Sequence, residues 1–359
     1  MIYLDYQATT PLAPEALDAM LPWLRDQHAN PHSAHGPGRA AKAAVEVARG
    51  QVAALLPAGG TVSFTSGATE ALNWAMKGVA GPLVTIATEH AAVLDTAEAA
   101  GGAIVLPVGS DGLVDLEAAR AAIRPGVKLV AAMLVNNEIG VIQPIAELAA
   151  LAHEAGALFL CDAVQGYGRV ATPHGCDLIA LSGHKIHGPK GIGALWIRDG
   201  VSLAPLLHGG GQEVAGRSGT LSPALCAGFG AAAALMAQWH DRDAAHVEHL
   251  WAAVRSTLGA DWIVNGSVEQ RYRGNLNIRR DGLDVARLMS DLRDIAFSAG
   301  SACASGSGRP SHVLEAIGLS DAQARNSIRI GFGRYTTEEE LVTALKRIDA
   351  AVRAQRIAA

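Results

Sequence analysis

Val127-Lys128-Leu129-Val130-Ala131-Ala132-Met133-Leu134-Val135 is an apolar run broken once by a lysine, and with the segment after it this run decides the fold. A run of this length and composition reads as a strand buried on both faces. Pro144 then opens a helix at its first turn, with Ile145, Leu148, Ala152 and Ala155 on one face and Gly156 as its stop. Ala157 to Cys161 is the next strand, so the segment is one βαβ unit. Thr61–Phe64, Leu83–Thr88 and Leu178–Leu181 read as further strands of the same kind. The fold class expected is α/β, with a mainly parallel sheet covered by helices. Beyond Trp239 the composition shifts: residues 240–249 are charged, the pattern changes again from Asn275, and residues 338–353 form a polar amphipathic helix. We therefore expect a large domain at 15–245 and a smaller α/β domain made of 1–14 and 246–359.

Composition narrows the function. The 359 residues are 50% hydrophobic and 18% charged, with 29 Lys and Arg against 34 Asp and Glu, a net charge of −5. Such a chain buries a core and is not intrinsically disordered. It has no basic excess to neutralise phosphates, so nucleic acid is not an expected partner. Asp5 sits where a signal peptide would be apolar. The longest uncharged stretch, Ser218–Trp239, contains Pro223, Gln238 and many Gly and Ala, so it reads as a buried helix and no membrane is expected. Cys161, Cys176, Cys226 and Cys303 are widely spaced, as in reduced cytoplasmic proteins.

The expected strands end in polar groups, and in parallel sheets ligands bind beyond those ends. Thr65-Ser66-Gly67-Ala68-Thr69-Glu70 follows one strand, and Glu89-His90, Asn136-Asn137-Glu138, Asp162 with Gln165, and Ser182-Gly183-His184-Lys185 follow four others. Each has an ordinary reading: the first as a helix cap, Asp162 as a surface turn, Lys185 as a solvated charge. Jointly they fit one cofactor. Pyridoxal 5'-phosphate needs a lysine for its Schiff base, an acid opposite the ring nitrogen and an anion cradle. It also needs a planar group over the ring and a donor to the ring oxygen. Lys185, Asp162, the Gly67–Thr69 turn, His90 and Asn137 supply these in order. Small residues before a helix suit the phosphate, because backbone N–H groups approach it closely. By contrast His28, His32 and His35 flank Pro31 with no carboxylate nearby, so no metal is expected there.

Two further features concern the reaction. In residues 299–308 Cys303 is the only residue that is not Ala, Gly or Ser, which places a thiol on an arm with high backbone freedom. Arg329 alternates with Ile328 and Ile330, so it projects away from them toward a cleft, where a guanidinium grips a carboxylate through two parallel hydrogen bonds.

Taken with these residues, the chain resembles a cysteine desulfurase of the NifS/IscS type, in the class-V branch of the fold-type-I pyridoxal-phosphate enzymes. The likeness runs through Tyr3-Leu4-Asp5-Tyr6-Gln7-Ala8-Thr9-Thr10-Pro11, the 65–70 turn and Val135-Asn136-Asn137-Glu138-Ile139-Gly140. It continues in Asp162-Ala163-Val164-Gln165, Ser182-Gly183-His184-Lys185, Arg217-Ser218-Gly219-Thr220 and Gly300-Ser301-Ala302-Cys303. The resemblance implies Lys185 as the Schiff-base lysine and Asp162 as partner of the ring nitrogen. Asn137 and Gln165 would hold the ring oxygen, and His90 would stack on the ring and move protons. Ala68, Thr69, Ser182, Gly183 and His184 would form the phosphate site, with Thr220 supplied by the other subunit of a homodimer. Arg329, with Asn137, would bind the substrate.

The implied reaction takes sulfur from L-cysteine, leaves L-alanine and stores a persulfide on Cys303. That sulfur would pass to an acceptor or iron–sulfur scaffold protein for cluster or thio-cofactor synthesis. The mobile loop would span about residues 298–310. The chain stops at Ala359, short of the tail through which IscS-type members dock a scaffold. The alternative implied is a related enzyme using the same cofactor, a selenocysteine lyase or a class-V aminotransferase.

Overall fold

The computed structural model describes every residue except 173, 214, 215, 301–310 and 358–359. Cys303 and most of the expected loop therefore lie outside the described residues.

Leu129–Met133 is a strand buried along its whole length, between Leu158–Asp162 and Leu83–Ile86 and parallel to both. It is shorter than the apolar run. Val135 bridges to Ile142, and the Asn136 N–H donates to Val141 O, so the chain folds back through a tight turn. Gly140 closes that turn at φ 73°, a conformation that disfavours a β-carbon. The Leu83 strand likewise stops at Ile86, because Glu89 N–H turns back to Ile86 O. Between Leu129–Met133 and Leu158–Asp162 runs the helix Ile145–Glu154, with Pro144 as its cap and Gly156 beyond its end at φ 75°.

The full sheet has seven strands, in the order Gly60–Thr65, Gly193–Arg198, Leu178–Ser182, Leu158–Asp162, Leu129–Met133, Leu83–Ile86 and Ala103–Leu106. Five neighbouring strands are mutually parallel, whereas Gly193–Arg198 runs antiparallel to both its neighbours. Neither this strand nor the edge strand Ala103–Leu106 is among those expected from the sequence. The two reversals cancel, so Gly60–Thr65 points the same way as the parallel strands, and its end meets theirs at one edge of the sheet.

Helices Pro14–Arg25, Gly36–Ala53 and Pro223–Gln238 pack together on the sheet. The third is the buried helix expected within Ser218–Trp239, and its glycines are needed for contact: a Cβ on Gly230 would lie 2.6 Å from Ala48 Cα. Among the described residues no helix is long and apolar enough to cross a membrane.

A second sheet, entirely antiparallel, has the order Ser298–Ala299, Ser327–Gly331, Asn275–Arg279, Ile263–Val264. Its core gathers Trp251, Ile278, Ile328, Ile330 and Leu345 around Leu4. The helix His240–Thr257 is charged outside but buries Val247, Leu250, Trp251 and Val254, partly against the long helix Glu338–Ile357. Ile2–Tyr3 pairs in parallel with Ile295–Ala296, and Gly331 N–H donates to Leu4 O at 2.7 Å. The first residues of the chain thus belong to the packing of the last third, and the next few cross to the large sheet.

Candidate active site

Where the large sheet's strands end there is a cavity of about 430 Å³. It is lined by Ala68, Thr69, His90, Asn137, Asp162, Gln165, Ser182, His184, Lys185 and Arg329, all singled out from the sequence. Five strand ends and one strand of the second sheet converge on it.

One wall is built for an anion. The helix Ala68–Gly78 begins after Gly67 with no side-chain cap, which leaves N–H groups of its first turn facing outward. Ser66 N–H is taken by Glu70 Oε2 at 2.7 Å, and Glu70 is held by Arg217 Nε at 2.8 Å, so the turn is braced from behind. Gly193 lets the turn close on the sheet, since a Cβ there would stand 2.4 Å from Leu181 O and 2.7 Å from the Gly67 carbonyl carbon. The Ser182 and His184 side chains line the same cavity. Burial, with Lys185 and Lys190 nearby, pushes the His184 imidazole down to about 4, so it is neutral at pH 7.

Deeper, Asp162 is 5% exposed, and its Oδ1 accepts the Val164 N–H at 3.0 Å. Burial raises its carboxyl above the usual range; Val164 N–H, His90 and Lys185 pull the other way. A cation beside it would restore the ionised form. His90 caps the helix Ala91–Ala99, its Nδ1 accepting the Ala92 N–H at 3.0 Å, which fixes the ring plane. Burial lowers the His90 pKa, so the ring is neutral near pH 7. Behind both lies Glu89, fully buried and raised well above the carboxylate range by burial and by Asp162. Its Oε1 accepts the Met133 N–H at 2.6 Å.

Lys185 ends a short 3₁₀ turn, Gly183–Lys185, and its Nζ donates to Gln7 O at 2.6 Å and Ala8 O at 2.8 Å. The same N-terminal stretch is tied down repeatedly: Thr10 Oγ1 donates to His184 O at 2.9 Å, and Gln165 Nε2 donates to Gln7 O at 2.9 Å. The Gln165 amide is thus engaged with the chain itself, its Oε1 accepting from Arg169 at 3.2 Å. Arg169 also donates to Lys185 O. His187 lies just beyond at φ 69°, donating from Nδ1 to Pro11 O at 2.9 Å and from its N–H to Thr10 Oγ1 at 2.7 Å.

Arg329 reaches the cavity from the second sheet, opposite Ile328 and Ile330 as the alternation predicts. It does not project alone. Nη2 donates to Asp5 Oδ1 at 2.8 Å and Nη1 to Asn137 O at 3.1 Å, with the residue 1% exposed. Gly183 is buried in the turn, whereas Thr220 is exposed and not among the residues lining the cavity. Sequence reasoning assigns no role to Asp5, Gln7, Ala8, Glu89 or Val164. Three of these stand in the N-terminal motif Tyr3–Pro11, which is the available signal; Glu89 and Val164 each sit within two residues of a chosen one.

The donor set fits a phosphate-bearing aromatic cation: an uncapped helix start at one end, a buried carboxylate in the middle, an amine and an imidazole beside it. It is the set that pyridoxal 5'-phosphate requires.

Comparison with known proteins agrees. The family model described as Aminotransferase class-V matches residues 2–343. Cysteine desulfurase IscS of Rickettsia bellii (strain OSU 85-389) is 43% identical over 369 residues, covering 97% of this chain and 90% of that protein. A mitochondrial cysteine desulfurase of Saccharomyces cerevisiae is 46% identical over 367 residues, covering 97% of this chain and 74% of that one. Among solved structures, a NifS-like protein from Rickettsia africae ESF-5 superposes with a TM-score of 0.90 at 30% identity, covering 98% of this chain and 99% of that one.

Proposed function

The chain belongs to the aminotransferase class-V family, and from that premise we propose how its cavity takes sulfur from L-cysteine. The enzyme is a cysteine desulfurase that depends on pyridoxal 5'-phosphate and leaves L-alanine. The observation that carries the residue assignments is the shared cavity of the Lys185 amine, the Asp162 carboxylate and the uncapped turn at Ala68 and Thr69.

Ala68, Thr69, Ser182 and His184 hold the phosphate, with Gly183 shaping the turn. Asp162 would pair with the ring nitrogen, His90 would stack on the ring, and Asn137 would hold its oxygen together with Gln165, whose Nε2 has a second N–H beyond the one given to Gln7 O. When bound, the cofactor supplies an electron sink for the substrate carbon. Arg329 takes the substrate carboxylate and so orients the Cα–H bond. The Lys185 amine removes and returns the proton at Cα, and neutral His90 accepts the proton of the substrate thiol. The Cys303 thiolate then attacks the substrate sulfur. A sulfur–sulfur bond forms as the carbon–sulfur bond breaks, and the electron pair left on carbon is protonated to give L-alanine. The persulfide on Cys303 passes to an acceptor thiol, on a scaffold or carrier protein serving iron–sulfur or thio-cofactor synthesis.

We assign Thr220 to the phosphate site of a second copy in a homodimer; its exposure in its own chain supports that placement. Residues 15–245 form the cofactor domain and 1–14 with 246–359 the smaller one, a division favoured by a second core that joins Leu4 to residues 250–352, although Ala13 packs in the large core. A cytoplasmic site of action fits the spaced, reduced cysteines.

The test is release of sulfide and alanine from L-cysteine under reducing conditions by wild type, Lys185→Ala and Cys303→Ser. Wild type forms both products in equal amounts. Lys185→Ala forms neither, and Cys303→Ser loses nearly all turnover. A Cys303→Ser enzyme as fast as wild type would remove the thiol from the mechanism and favour a lyase that frees sulfur directly.

A further inference from the structure

The surroundings of Arg329 point to a second role at this position, one that rests on its assignment to the substrate carboxylate. The Arg329 side chain is 2% exposed, so little water screens its guanidinium. Its charge is already shared. Asp5 Oδ1 accepts from Arg329 Nη2 at 2.8 Å and, on the same oxygen, from Ser298 Oγ at 2.8 Å. Backbone fixes the pair, because Asp5 bridges to Gly331 and Leu4 O accepts the Gly331 N–H at 2.7 Å. The carboxylate and the guanidinium are therefore carried on adjacent, hydrogen-bonded stretches of chain. Glu138 also lies near Arg329; burial raises its pKa, and its Oε2 is taken by Ser311, so Asp5 is the carboxylate that bonds the guanidinium directly.

We propose that Asp5 is a positioning residue that aims Arg329 into the cavity and, by its charge, limits how tightly the site holds an α-carboxylate. Substrate and product carry the same carboxylate, so a guanidinium left uncompensated in a dry site would retain L-alanine. With Asp5 in place, an incoming carboxylate meets a second negative charge across one guanidinium, a separation of about 6 Å. At the effective dielectric near protein ionic sites that repulsion would weaken binding by about a hundredfold, and solvent at Asp5, whose side chain is 20% exposed, screens it to about tenfold. Asp5 thus exchanges affinity for release.

The test uses the holoenzyme of wild type, Asp5→Asn and Asp5→Ala. Asparagine keeps an acceptor for Arg329 and Ser298 and removes only the charge. Calorimetry with L-alanine gives a dissociation constant about tenfold lower for Asp5→Asn. KM for L-cysteine falls in parallel, and kcat falls as product leaves more slowly. Asp5→Ala, which loses the aim together with the charge, binds L-alanine less tightly than Asp5→Asn. Competition by cysteamine, which lacks the carboxylate, is the same in wild type and Asp5→Asn. L-alanine binding no tighter in Asp5→Asn, or a cysteamine shift as large as the alanine shift, overturns the role of Asp5. A wild type that binds neither L-cysteine nor L-alanine overturns the assignment of Arg329, and this inference with it.

Discussion

His187 gives the sharpest thermodynamic handle on the way the N-terminal stretch is fastened beside Lys185. It is 4% exposed, and burial, with Arg334 and Arg169 adding positive charge, pushes its imidazole from 6.5 down to about 3. Above pH 6.5 the ring is neutral in both the folded and the unfolded chain, and its contribution to stability is whole. As the pH falls below 6.5 the unfolded chain takes up a proton that the folded ring refuses until about pH 3. Stability is therefore lost with a slope that approaches about 1.4 kcal/mol per pH unit, about 2.3 kcal/mol between pH 6.5 and pH 4.5. Asn is the informative replacement: it tolerates φ 69° better than most residues and its amide can donate to Pro11 O. Urea unfolding of wild type and His187→Asn across this range gives the difference directly, since groups untouched by the substitution cancel. The wild-type curve should fall more steeply, the excess slope approaching about 1.4 kcal/mol per pH unit. Parallel curves would refute the claim that this imidazole is held neutral.

Two further substitutions probe the braces of the site. Gly193→Ala drives a methyl group into Leu181 O and the Gly67 turn, so urea unfolding should show a loss of about 1–3 kcal/mol and dialysis a faster release of the cofactor. Arg49→Met strands Glu213, whose fully buried carboxylate accepts from Arg49 Nη1 at 2.6 Å and from Phe64 N–H at 2.9 Å, and should cost about 3–5 kcal/mol at pH 7 in the same unfolding assay.

The sequence discloses the parallel part of the large sheet and most of the cavity for one physical reason. Successive βαβ units bring strand ends together at one edge, so local patterns such as Ser182–Lys185 foretell a shared location. Its silences concern closure of the whole chain. The run Gly193–Arg198 looks like the tail of a glycine-rich loop, and only its place between Leu178–Ser182 and Gly60–Thr65 makes it a reversed strand. Arg329 is legible from its strand alternation, but its partner lies 324 residues away and leaves no local trace. Lys185 is legible too, whereas the carbonyls of Gln7 and Ala8 that receive its amine have no side-chain signature. Glu89 is masked by its neighbour His90, because a carboxyl whose pKa burial raises looks in sequence like any surface acid.

The seating of Ile2–Tyr3 beside Ile295–Ala296 has a consequence for biosynthesis. The segment at Ile2–Tyr3 waits for partners made after every strand of the seven-stranded sheet, so the growing chain carries it undocked while that sheet can already form. The backbone of Gln7 and Ala8 that receives Lys185 is thereby fastened only after Ile295–Ala296 has been made, and until then that stretch stays open to proteases or chaperones.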